Sequence, residues 1–184
     1  VKHGVIRDRD LFEYVEDNRG GIARENAGLL AELVARNCRI KAAVVEEDER
    51  ESNLRQILNF GHTVGHAVEA FSGYLMLHGE AVACGLAVEA DIAAALGLCG
   101  AAEAERIVEL LAGLGLPVEF SDLKAPAGRL LELTALDKKA RQGRARYTLP
   151  CGIGRMATRE DGSYGIEVPE QAVLSALVAR GAVA

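Results

Sequence analysis

Apolar residues along this chain recur mostly at intervals of three and four, the spacing of one buried helix face. Residues 8–18, DRDLFEYVEDN, put Leu11, Phe12 and Val15 on one side behind an acidic cap, which predicts a short helix that Gly20-Gly21 breaks. Residues 24–47 predict a long helix with Leu29, Leu30, Leu33, Val34, Ile40, Val44 and Val45 facing inward. The charge run EEDERESN reads as solvated surface, with Ser52-Asn53 capping the helix that follows. In that helix, ending near Ser72-Gly73, Ile57, Leu58, Val64 and Val68 keep helical spacing. His78-Gly79-Glu80 opens another, GEAVACGLAVEADIAAALG, whose Ala and Gly would let a neighbouring helix approach closely. Residues 101–114 turn Ile107, Leu110, Leu111 and Leu114 inward and stop at Gly115 and Pro117. A helix runs from Pro126 to about residue 136, and the last, EQAVLSALVARG, follows Pro169. Period-two patterning is confined to RYTLP and IGRMATR around Cys151-Gly152, a hairpin. The pattern predicts a mostly α, helical bundle-like domain with one small β-hairpin.

The chemistry gathers in residues 54–78, LRQILNFGHTVGHAVEAFSGYLMLH, which hold three of the four histidines. On one helix, Arg55, Asn59, His62 and His66 would form a stripe at spacings of four, three and four. A polar stripe on so apolar a helix is costly to bury without partners, and a bound ion and a polar ligand would supply them. A lone histidine on a core helix is commonly a hydrogen-bonded core residue. Two at i and i+4 with a third twelve residues on raise the case for a metal. No Glu directly follows His62, so this is not the metalloprotease pattern. If the helices of residues 54–72 and 78–97 pair antiparallel, His78 comes back toward His62. Spacing alone leaves open which histidines bind. Lys41 sits within an apolar run, where a surface lysine laying its stem along the helix would look the same.

Composition narrows the class. Apolar residues make up 49% of the 184, enough for a core, and Trp is absent. The net charge of −6 and the lack of a basic cluster exclude nucleic acid as the expected partner. No long uncharged apolar run or signal peptide appears, so no membrane partner and a cytoplasmic location are expected. Cys38, Cys84, Cys99 and Cys151 lack CxxC spacing and read as reduced core thiols. No Gly-rich dinucleotide turn follows a strand. The opening VKHGVIRDRD has no initiator Met and enters mid-helix, which suggests a fragment.

The runs KAAVVEEDERESNLRQILNFGHTVGHAVEA, LHGEAVACGLAVEA and LDKKARQGRARYTLPCGIG closely resemble the C-terminal domain of the 3-dehydroquinate synthase family. The opening VKHGVIRDRDLFEYVE resembles that domain's beginning, so the likeness spans nearly all of residues 1–184. It implies the C-terminal half of a two-domain enzyme of the shikimate pathway and aromatic amino acid biosynthesis, a lyase that depends on NAD and on a divalent metal, Zn or Co. Its substrate is a seven-carbon sugar phosphate, 3-deoxy-D-arabino-heptulosonate 7-phosphate, which closes to a carbocycle as phosphate is lost. By resemblance, His62 and His78 are metal ligands and His66 contacts substrate. Lys2, Lys41, Arg55 and Asn59 meet the substrate's carboxylate, hydroxyls and phosphate, joined by Lys138 or Lys139. The family's third metal ligand, a Glu three residues ahead of Lys2, falls before Val1. Its N-terminal nucleotide-binding domain is expected as partner, with a homodimer as the candidate assembly, and residues 1–184 alone are expected to fold without turning over. Glu80 reads as an acid favoured at a helix N-terminus rather than as a replacement ligand. Asn53 stands where many relatives carry Gly, and Asn tolerates the left-handed conformation.

Three rival readings are another sugar-phosphate cyclase, a metal-dependent polyol dehydrogenase, and a non-catalytic helical metal-binding or interaction domain. The polyol enzyme would not need this set of phosphate-binding cations.

Overall fold

The computed structural model describes residues 1–135 and 145–184. Helices dominate: α1 (Lys2–Arg7), α2 (Arg9–Asp17), α3 (Arg19–Ala23), α4 (Ala27–Glu47), α5 (His62–Phe71), α6 (His78–Ala95), α7 (Ala101–Gly113), α8 (Ala127–Ala135) and α9 (Glu170–Ala179). α6 is the central element, packed on α5, α7 and α9 and buried along nearly its whole length. Among the described residues, the β-strands form two small antiparallel pairs, and an isolated parallel bridge joins Pro126 to Val183. β2 (Pro150–Gly152) pairs with β3 (Arg155–Met156), so a hairpin forms, but its turn falls at Ile153-Gly154 and the expected turn residues Cys151-Gly152 lie in the strand. β1 (Arg146–Tyr147) instead pairs with β4 (Ile166–Glu167), a strand the apolar pattern did not reveal.

Apart from residues 54–72, the expected helices form with shifted ends. Asp8 caps α2 by accepting the Leu11 N–H at 2.9 Å, and Leu11, Phe12 and Val15 are buried. The chain breaks at Asn18, not at Gly20-Gly21, which lie inside the short α3. α4 starts at Ala27 because Asn26 accepts the Leu29 N–H at 3.1 Å. Of its expected inward residues only Val44 is buried, and Val34 is 60% exposed. α4 therefore lies on the outside of the domain.

Residues 54–72 are not one helix. Leu54–Asn59 form a 3₁₀ helix, Phe60 leaves it in extended geometry, and Gly61 turns the chain with φ +79°. α5 then begins at His62. Apolar phase survives the break: Ile57, Val64 and Val68 are all buried. Nor does Ser52-Asn53 provide the cap. Buried Asp48 does that, accepting the N–H groups of Ser52, Asn53 and Arg55 at 2.8–2.9 Å. These bonds, that of Arg55 foremost, hold its carboxyl far below the usual carboxylate range. Asn53 has φ −155°, so no left-handed conformation is required there, and its side chain bonds Gly162 O and Tyr164 N instead. All four cysteines are free thiols. Cys84 and Cys99 are buried, Cys151 is half-buried, and Cys38 is exposed on α4 rather than in the core.

Candidate metal and substrate site

α5 and α6 run antiparallel, joined by a short turn, and their contact is close. A Cβ on Gly85 of α6 would lie 2.0 Å from Gly61 O and 2.8 Å from Gly65 N. This approach brings three imidazoles together. The ring centres of His62 and His78 are 5.5 Å apart, those of His62 and His66 5.5 Å, and those of His66 and His78 6.2 Å. Two imidazoles on one tetrahedral ion, each bonded at about 2.1 Å, have ring centres about 5 Å apart.

Two rings are oriented through Nδ1. His62 Nδ1–H donates to the Phe60 carbonyl at 3.1 Å, which fixes the tautomer because a carbonyl only accepts. His78 Nδ1 lies 3.0 Å from Glu69 Oε1, a histidine–carboxylate pair. Both rings thereby keep Nε2 for an ion, the arrangement common behind metal-bound histidines. Burial, then the charge of Lys2, lowers the pKa of His62 to about 4, so the ring is neutral at neutral pH, as a ligand must be. The donor set fits a borderline ion such as zinc or cobalt. Among the described residues, no group of three His, Cys, Asp or Glu is arranged to hold a metal by itself.

Beside His62 lies a cavity of about 330 Å³ lined by Lys2, His3, Lys41, Glu51, Arg55, Leu58, Asn59 and His62. α1 supplies Lys2, α4 supplies Lys41, and the 3₁₀ helix supplies Arg55 and Asn59. The break at Gly61 divides the expected stripe between two helices and keeps three of its four residues together. Arg55, Asn59 and His62 still share one cavity, while His66 lies among the imidazoles and not in that lining. Lys2 Nζ donates to Leu58 O at 3.0 Å. Burial and then Lys41 lower the pKa of Lys2 to about 8, with Glu89 pulling the other way. Lys41 is exposed on α4 with its side chain at the cavity. Glu80 accepts the Leu77 N–H at 3.2 Å and so serves the α6 terminus, as expected. Lys138 and Lys139 lie outside the described residues. A larger cavity, about 750 Å³, opens between α8, β1 and α9, but its described lining contains no Lys, Arg or His.

Sequence reasoning missed Glu89. It is fully buried on α6 and accepts the Gly61 N–H at 2.7 Å and the Val64 N–H at 3.4 Å, closing the N-terminus of the helix that begins with His62. Burial raises its pKa to about 8 although these N–H groups and Lys2 oppose the rise. The one available signal was an acid in the Ala-rich apolar run of residues 79–97.

Residues 1–140 match the family model described as 3-dehydroquinate synthase C-terminal. The chain belongs to this family. The 3-dehydroquinate synthase of Caldanaerobacter subterraneus subsp. tengcongensis is 48% identical over 157 residues, 85% of this chain and 44% of that protein. That of Thermoanaerobacter sp. strain X514 is 40% identical over 178 residues, 96% of this chain and 48% of that protein. The chain thus spans about half the length of the curated relatives it matches. Among solved structures, 2-epi-5-epi-valiolone synthase from Streptomyces hygroscopicus subsp. jinggangensis 5008, with NAD+ and Zn2+ bound, superposes with a TM-score of 0.80. It is 25% identical, and the match covers 97% of this chain and 48% of that one. A 2-deoxy-scyllo-inosose synthase complexed with carbaglucose-6-phosphate, NAD+ and Co2+ shares the fold, with a TM-score of 0.72 over 84% of this chain and 41% of that one. The mostly α architecture and the family resemblance read from the sequence both hold. No helix of the described residues is long and apolar enough to cross a membrane.

Proposed function

We propose that this chain is the metal- and substrate-binding half of a 3-dehydroquinate synthase, which converts 3-deoxy-D-arabino-heptulosonate 7-phosphate to a carbocycle with loss of phosphate. One observation carries the reading: His62 and His78, each with Nδ1 engaged, converge beside a cavity lined by Lys2, Lys41, Arg55 and Asn59. In this reading His62 and His78 hold zinc or cobalt. A carboxylate from outside residues 1–184 completes the set, since catalytic zinc normally takes three protein ligands. When bound, the ion supplies Lewis acidity to a substrate oxygen.

The chain's own groups do the rest. Arg55, Lys2 and Lys41 receive phosphate and carboxylate, where guanidinium and ammonium groups are suited to bind. Asn59 both donates to and accepts from hydroxyls. His66, beside the ligand pair, holds or moves a proton at a substrate hydroxyl. NAD is held by an N-terminal nucleotide-binding domain in the part of the protein that the relatives' greater length represents. Residues 1–184 alone therefore fold without turning over.

A second reading, another sugar-phosphate cyclase, is favoured by the fold shared with the valiolone synthase. The higher identity to 3-dehydroquinate synthases supports the first. Phosphate release by the full-length protein with NAD and Co2+ decides between them. The first reading expects turnover of the seven-carbon keto acid phosphate, and turnover of a different sugar phosphate alone would overturn it.

A further inference from the structure

His3, the histidine outside the 54–78 cluster, has no role in this scheme, yet it lines the same cavity as Lys2, Lys41, Arg55, Asn59 and His62. A chain of hydrogen bonds sets its protonation. Asn37 donates through Nδ2 to the Leu33 carbonyl at 2.7 Å, which turns its amide oxygen toward α1. That oxygen is 2.6 Å from His3 Nδ1 and can only accept, so Nδ1 carries the hydrogen. Nε2 is the ring's remaining position and has no hydrogen-bond partner among the described residues. Burial, together with Lys2 and Lys41, holds the ring's pKa below its ordinary value against the opposing pull of Asn37. Nε2 therefore keeps its lone pair.

Lys2, Lys41 and Arg55 can only donate. They match the anionic oxygens of a ligand but leave its hydroxyl hydrogens without acceptors. Glu51 and Asn59 can accept in the cavity, but Glu51 is a solvent-exposed carboxylate. A neutral imidazole with a fixed tautomer is the better-defined acceptor, and its complement is an O–H.

We propose that His3 accepts a hydrogen bond from a ligand hydroxyl through Nε2, and so makes the cavity select a hydroxylated anion over its deoxy counterpart. The proposal rests on the sugar-phosphate reading of the site. Steady-state kinetics of the full-length protein, with the seven-carbon substrate and analogues each lacking one hydroxyl, test it.

For one analogue the parent should lose about three- to tenfold in kcat/KM, the worth of one neutral hydrogen bond. His3→Phe should lose that amount on the natural substrate, mostly in KM, and nothing further on that analogue. His3→Gln, which restores an acceptor oxygen, should recover part of the discrimination. Asn37→Leu, which frees the ring to turn, should weaken it. Equal losses by His3→Phe on every analogue, or no loss, would overturn the proposal while leaving the site reading intact. A parent that does not act on the seven-carbon substrate would overturn both.

Discussion

A Cβ placed on Gly85 would fall 2.0 Å from the carbonyl oxygen of Gly61, a separation that no side chain can occupy. The two backbones meet at the residue before His62, so the contact that closes α5 on α6 also sets where His62 stands relative to His78. Gly85→Ala must force the helices apart. Overpacking of this kind costs about 1–3 kcal/mol. The denaturation midpoint should drop, and metal affinity of the protein that still folds should drop with it. An unchanged midpoint would mean that α5 and α6 are less closely packed than described.

Glu69 accepts from His78 Nδ1 and touches no ligand in this scheme. Removing such a supporting carboxylate typically lowers metal affinity about 10- to 100-fold. Glu69→Ala in the full-length protein should show that loss in competition with a chromophoric chelator. Affinity equal to the parent's would return the pair to an ordinary surface contact.

Arg55→Ala and Lys41→Ala should each weaken substrate binding roughly ten- to a hundredfold, the worth of a charge-assisted hydrogen bond. Circular dichroism should be unchanged, since neither side chain belongs to the buried core. Undiminished binding by either variant would make that residue a solvated helix charge.

Glu89 gives the fold a pH dependence of definite sign. Its folded pKa, about 8, lies above the ordinary value of 4.5, so between these the folded state holds more proton than the unfolded. The stability this group contributes is complete below the unfolded value and is lost as pH rises through about 8. Glu89→Gln keeps an acceptor for the Gly61 N–H and cannot ionise. Urea midpoints measured from pH 5 to 9 should fall for the parent and flatten for this variant. Parallel curves would show that Glu89 does not carry the dependence.

Where a signal was local, the sequence was legible. Asp8 three residues before Leu11, and His78 ahead of an Ala-rich run, marked the starts of α2 and α6. The turn at Gly61 was hidden because the apolar phase from Ile57 to Val64 and Val68 continues across it. The capping of α5 was hidden because its acceptor, Glu89, lies 25 residues beyond Val64. Asp48, inside a charge run, read as solvated until the backbone folded around its carboxylate. On α4 the apolar period correctly gave a helix, but period alone cannot say what covers a face, and Val34 remains exposed. In the candidate site, residue types singled out Arg55, Asn59 and His62, which share a cavity, and the three histidines of residues 54–78, which converge. His3 escaped notice because a lone histidine next to Lys2 carries no spacing signal.

Metal content of three histidine variants of the full-length protein tests the central claim most directly. His62→Ala and His78→Ala should lose bound zinc or cobalt and activity together. His66→Ala should keep the metal and lose rate. Stoichiometric metal retained by both His62→Ala and His78→Ala would contradict the account.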